Sequence, residues 1–180
     1  MKKILCLALF GASILNANQT LTDKCDKGDL KACITLSQKH FKNQNHTKAT
    51  EFAKKACDGG DAVGCGSLGF LYYIQKDYKN AKKFYTKACD SGDSAGCNNL
   101  GFLHSHGLGV KQDYAKADEY YIKACNGGFA GSCNDLAILY TKGQGVKQDE
   151  KQAKEYFKKA CDLGYQSGCN NYKKLETKKQ

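Results

Sequence analysis

The sequence predicts an all-α solenoid, a row of helical hairpins stapled by disulfides. Three observations carry this. Ten cysteines fall into five pairs, Cys25/Cys33, Cys57/Cys65, Cys89/Cys97, Cys125/Cys133 and Cys161/Cys169, each pair eight residues apart. The pairs recur at intervals of 32, 32, 36 and 36 residues, the period range of stacked repeats. Between them, apolar residues return at i, i+3, i+4 and i+7, the stripe of an amphipathic helix.

The first element is an export signal. Lys2 and Lys3 precede an apolar run at 4–15, and small residues follow, with cleavage expected after Ala17. The run is too short to span a bilayer. Removing 1–17 takes the net charge from +10 to +8, because Lys2 and Lys3 leave with it. It also removes Cys6, the odd one of eleven cysteines. Ten cysteines in an exported chain read as a disulfide framework.

The second helix of each unit follows from four stripes: Ala49, Phe52, Ala53, Ala56; Ala81, Phe84, Tyr85, Ala88; Ala117, Tyr120, Tyr121, Ala124; and Ala153, Tyr156, Phe157, Ala160. Lysines and acids fill the other faces. Glycines after each first cysteine, such as Gly59-Gly60, Gly92 and Gly127-Gly128, suit a helix end. The first helix of the next unit starts near the second cysteine, where Cys65, Leu68, Gly69 and Tyr72 match Cys97, Leu100, Gly101 and His104, and again Cys133, Leu136, Ala137 and Tyr140. The small residue after leucine lets the paired helix approach closely. The longer units owe their extra residues to the connections at 106–113 and 142–149.

The cysteine spacing demands a turn. Eight residues of straight helix span ~12 Å, while a cystine needs Cα atoms roughly 4.4–6.8 Å apart. Each bridge therefore ties the end of one helix to the start of the next. The C-x7-C spacing does not match a zinc knuckle, and neither a metal nor a cofactor is expected. The mature chain, 18–180, divides into about four repeats and a terminal capping helix, near 25–57, 58–89, 90–125, 126–161 and 162–180.

The combination of Leu-Gly-x-x-Tyr/His, Gly-x-Gly-Val-x-x-Asp, Lys-Ala-x-x-Tyr-Tyr-x-Lys-Ala-Cys and C-x7-C resembles the Sel-like repeat family, and more narrowly the Helicobacter cysteine-rich proteins. The resemblance runs from about Cys25 to the tail. The first unit departs from it, with Leu36-Ser37 in place of leucine-glycine and no Gly-x-Gly-Val connection, as expected of an amino-terminal cap. The resemblance implies a right-handed αα-superhelix of tetratricopeptide/Sel-like helix–turn–helix repeats, secreted or periplasmic, binding peptides or proteins. It also implies a second activity, because some members are labelled β-lactamases or penicillin binders.

The residues favour binding over hydrolysis. None of Ser-x-x-Lys, Ser-Asp-Asn or Lys-Thr-Gly occurs. His104 and His106, two apart on a helix, face different ways; His104 is expected to pack where Tyr72 and Tyr140 do, and His106 to end the helix. His40 and His46 are expected at the surface. All ten mature cysteines have a partner, leaving no thiolate nucleophile. In a two-helix solenoid the first helices line a concave groove. Helical spacing turns Asn98, Asn134 and Asn170 toward it as a ladder of donors and acceptors, with Phe70, Tyr73, Phe102 and Ile138 supplying apolar pockets. The expected ligand is a peptide or protein segment, from a host or envelope protein, with a β-lactam or peptidoglycan fragment as the alternative.

All 28 basic residues are lysines, crowded on the second helices and the tail. Export, absence of arginine and interspersed acids such as Asp118, Glu119, Glu150 and Glu155 make them a solvated outer face, not a nucleic-acid site. After signal cleavage no integral membrane segment remains.

Overall fold

The computed structural model describes residues 20–177. The export signal read at 1–17, Cys6 included, lies outside those residues. The described elements are helices: α1 at 20–26, α2 Leu30–Lys42, α3 His46–Asp58, α4 Ala62–Ile74, α5 Tyr78–Asp90, α6 Ser94–His106, α7 Tyr114–Asn126, α8 Ala130–Lys142, α9 Glu150–Asp162 and α10 Gln166–Thr177. Successive helices pack as antiparallel hairpins, α2/α3, α4/α5, α6/α7 and α8/α9, stacked into an all-α solenoid. No described helix is long and apolar enough to cross a membrane.

Both ends of the helices are written in the chain. Asp29, Asn45, Asp61, Asp77, Asp93, Asp113 and Asp149 each accept a free backbone N–H of the first turn that follows. Such a cap is worth about 1 kcal/mol. After each second helix the chain reverses through one glycine, Gly28, Gly60, Gly92, Gly128 or Gly164, with φ between 86° and 93°. A side chain there would strain the left-handed backbone.

The five cystines close these reversals. Cys25–Cys33, Cys57–Cys65, Cys89–Cys97, Cys125–Cys133 and Cys161–Cys169 hold their Cα atoms 4.4–4.8 Å apart. They join α1 to α2, α3 to α4, α5 to α6, α7 to α8 and α9 to α10, so each sews one hairpin to the next. Ten linked cysteines indicate a non-reducing compartment.

Within a hairpin, packing does the holding. A methyl built at Gly69 or Gly101 would lie 2.6 Å from the ring of Tyr85 or Tyr121. The helices meet so closely that glycine is required opposite tyrosine. In the next unit Ala137 packs with Phe157 instead, where the facing ring has no hydroxyl. Beside this contact, rings stack in every hairpin: Tyr72 on Phe84 at 5.5 Å, His104 on Tyr120 at 5.6 Å and Tyr140 on Tyr156 at 5.7 Å. The longer connections press onto the preceding hairpin. A Cβ at Gly109 or Gly145 would lie 2.5 Å from atoms of Tyr78 or Tyr114, the first residues of α5 and α7.

His40 departs from expectation. It is half-buried and stacked on Phe52 at 5.4 Å, in the place of Tyr72, His104 and Tyr140. The spacing Cys33, Leu36, Ser37, His40 is that of the other units, and Ser37 in place of glycine obscures it. Ser37 donates to the Ala49 carbonyl at 2.8 Å, which a glycine could not do. His46 is exposed, as read, and His106 is the last residue of α6.

Two predictions follow from this packing. An eight-residue cystine restricts the unfolded chain by roughly 2–3 kcal/mol, a large share of a domain's ~5–15 kcal/mol. Strong reductant should therefore collapse the helical circular dichroism well below the oxidised melting point; an unchanged melting curve would refute this. The second concerns pH. Burial, then Lys82 and Lys116, hold the His104 imidazole below its ordinary pKa, with Asp113 and Glu119 opposing. His40 is lowered by burial, Lys48 and Lys39, against Glu51. The unfolded chain then binds protons that the folded one refuses, so stability is full above about pH 6.5 and falls as pH drops through that value. Replacing both by the tyrosine of the equivalent positions (His40→Tyr with His104→Tyr) should flatten the difference in denaturation midpoint between pH 7.5 and 5.5.

Candidate functional site

The first helices, α2, α4, α6, α8 and α10, share one face of the stack, and a row of hollows runs along it. The first hollow, about 270 Å³, lies across α2, α4 and the start of α6, and is lined among others by Phe41, Val63, Phe70, Leu71 and Asn99. Val63 and Phe70 are 51% and 41% exposed and stand together in this hollow. The edge of Phe41 meets Phe70 at 5.6 Å. The second, about 200 Å³, sits between α4 and α6 and is lined by Phe70, Tyr73, Tyr85, Asn98, Asn99 and Phe102. A third, about 390 Å³, opens between α6 and α8 around Ser105, His106, Tyr121, Asp135 and Ile138. The last, about 520 Å³, lies between α8 and α10 with Ile138, Thr141, Phe157, Asn171 and Leu175 in its wall.

Four residues read from the sequence thus meet around one hollow: Phe70, Tyr73, Asn98 and Phe102, with Tyr73 and Phe102 in edge contact at 6.1 Å. Ile138 stands farther along, shared by the last two hollows. The asparagines have separate employments. Asn98 accepts from the Ser132 hydroxyl at 2.8 Å, linking α6 to α8. Asn134 is only 5% exposed and accepts from the Asn171 amide at 3.0 Å, linking α8 to α10. Asn170 is exposed and accepts from Gln166 at 3.1 Å on its own helix. The polar residue that lines the hollows most consistently is the next one along the chain: Ser67, Asn99, Asp135 and Asn171.

Ser105, His106 and Asp135 bring serine, histidine and aspartate to one hollow, but not as a nucleophile and its base. The Phe102 carbonyl, an acceptor only, lies 3.0 Å from the Ser105 hydroxyl and 3.0 Å from His106 Nδ1. The Ser105 hydroxyl donates to that carbonyl, which competes with Nδ1, 2.9 Å from Oγ, for its proton. The Tyr121 hydroxyl lies 3.2 Å from Ser105 Oγ. Burial pushes the Tyr121 phenol up to about 12, so it stays protonated. Among the described residues, no group of three or more histidines, cysteines, aspartates or glutamates is placed to hold a metal ion.

Comparison with known proteins agrees with this architecture. A model of the Sel1 repeat matches residues 41–61, 94–129 and 130–165, and a tetratricopeptide repeat model matches 62–91. No curated protein matches the sequence. Several solved structures are similar, among them the following three. A Sel1 repeat protein from Oxalobacter formigenes is 26% identical with a TM-score of 0.79, over 87% of this chain and 65% of that one. A protective antigen of uropathogenic Escherichia coli strains, displaying an SLR fold, is 26% identical with a TM-score of 0.84, over 91% of this chain and 37% of that one. Helicobacter pylori cysteine rich protein B is 33% identical with a TM-score of 0.58, over 70% of this chain and 93% of that one. The chain thus spans less than two thirds of the first two relatives. Solenoids of this kind present extended binding surfaces and serve as protein-interaction scaffolds. With its repeats, its helical stack and its cystines on the page, the chain belongs to the Sel1 repeat family.

Proposed function

We propose that this protein is exported, by cleavage of a signal at 1–17, to the periplasm or beyond, and there holds an extended peptide or protein segment along the face of its first helices without turning it over. The observation that carries the reading is the row of hollows from α2 to α10, with exposed apolar side chains at one end. Phe70 is 41% exposed although Phe41 and Leu71 stand beside it in the same hollow. An extended chain advances ~3.3 Å per residue, and packed helices stand roughly 8–10 Å apart. About three residues of ligand would therefore cross each repeat, and alternate side chains would reach the hollows. Phe70, Tyr73, Phe102 and Ile138 supply apolar walls, while Asn98 and Asn99 offer amides to the ligand backbone. The lysines on the outer helices stay in solvent. Hydrolysis of a β-lactam has no such support: the serine nearest a histidine, Ser105, donates its proton to the Phe102 carbonyl.

The test is a peptide array probed with oxidised mature protein. Saturable binding is expected, and Phe70→Ala should weaken it about ten-fold or more, the cost of losing an aromatic anchor. The melting point should barely move, since the side chain is exposed. A chromogenic cephalosporin should turn over no faster than in buffer. Absence of saturable binding, or unchanged affinity in Phe70→Ala, would overturn the reading.

A further inference from the structure

One position on the first-helix face carries a charge that stacking does not require. Two residues after the second cysteine, the five units have Thr35, Ser67, Asn99, Asp135 and Asn171. Only α8 has an acid there, so a neutral polar side chain suffices for the fold. Neither α4 nor α6 contains a lysine, aspartate or glutamate. Asp135 is half-buried in the wall of the hollow between α6 and α8. Among the described residues, no ion pair within 4 Å engages it. Two cationic or titratable groups share the hollow, Lys142 and His106. Lys142 lies seven residues along the helix, a rise of roughly 10 Å, and His106 acts through its field. Burial raises the Asp135 carboxyl above its ordinary pKa, with the Asn134 side chain and His106 opposing. A carboxylate so placed has no cation in direct contact with it.

The surrounding groups bear on what would complete it. The Ser105 hydroxyl donates to the Phe102 carbonyl at 3.0 Å and stands 3.2 Å from the Tyr121 hydroxyl, and the Gln112 amide donates to the Ser105 carbonyl at 2.7 Å and to the Tyr114 hydroxyl at 3.0 Å. Tyr114, Lys142 and Gln144 bring donors to other parts of the lining, while beside Asp135 the Tyr121 oxygen is a further acceptor. An occupant carrying protons can meet these two acceptors together. Ile138 and Leu139 give the hollow an apolar side against which an alkyl chain could lie.

Resting on the peptide-binding reading above, we propose that this hollow takes a primary ammonium group of the bound peptide, a lysine side chain or a free amino terminus, with Asp135 as its counter-ion and the Tyr121 oxygen as a second acceptor. The apolar hollow at Phe41, Val63 and Phe70 would hold an apolar residue of the same peptide, about six residues away, an even spacing that puts both side chains on one side of an extended chain crossing two repeats.

The probe is a set of nonapeptides, each with one phenylalanine and, about six residues from it, lysine, acetyl-lysine or glutamine. Each is made with a free and an acetylated amino terminus. Binding to the oxidised protein is read by fluorescence anisotropy. The lysine peptide should bind about ten-fold tighter than its acetyl-lysine twin, as loss of a desolvated charge partner demands. Where the terminus is the source, the free-terminus peptides should show that preference instead. Asp135→Asn places at 135 the residue already found at 99 and 171, so the fold should survive; it should erase the preference. Phe70→Ala should weaken every peptide alike and keep the ratio. Peptides that bind with no preference for an ammonium, or a preference that survives Asp135→Asn, would overturn the ammonium site and leave peptide binding standing. Binding by no peptide would overturn both.

Discussion

A cystine closed over eight residues is a geometric demand before it is a source of stability. A continuing helix would carry the two sulfurs away from each other, whereas the bridge keeps their Cα atoms within 4.8 Å. The chain must reverse between them, and the intervening residues are those that make the reversal inexpensive. A glycine accepts the left-handed backbone and, at three of the five turns, an aspartate immediately after it caps the new helix. Antiparallel neighbours result, and repetition of the same turn produces a stack. The bridges fix how hairpins join; they say little about how the two helices of a hairpin fit together.

That second fit depends on matched sizes. Glycine faces tyrosine in two hairpins and alanine faces phenylalanine in a third, while stacked rings fill the adjoining layer. The histidines at 40 and 104 occupy ring positions of this layer and are structural members of it. Because close-packed interiors tolerate neither gaps nor crowding, the repeat varies its residues in pairs. The outer lysines take part only lightly, for instance Lys55 over the Phe52 ring and Lys83 over the Phe84 ring at 5.4 Å.

Most of the architecture was legible because helix periodicity and cysteine spacing are properties of the chain itself. The stripes at Ala81, Phe84, Tyr85 and Ala88 and their counterparts identify helices wherever they occur. His40 escaped because a serine replaced the glycine that marks the unit, although its spacing was unchanged. The face of the first helices was legible in its apolar members, Phe70, Tyr73 and Phe102, which the fold gathers around one hollow. Its polar members were harder to assign. Adjacent helical residues differ by about 100°, and residues such as Asn98 and Asn134 stand at the boundary between facing a ligand and facing the next repeat. Which side they take depends on how the hairpins stack, and the stacking is not encoded in any one repeat. Asp135 carried a signal, as the single acid in its column of the repeat, visible only once the units are aligned by their cysteines.

The brevity of the cystine loops also bears on how such a protein acquires its covalent structure. The partner of each cysteine is its nearest neighbour in the chain, and the next candidate lies a whole hairpin away. Small loops close at lower entropic cost than large ones, so the native pairing is also the one reached first by a segment entering an oxidising space. A stack assembled from such units can be lengthened by a hairpin without enlarging the pairing problem, since every added pair of thiols resolves within its own turn.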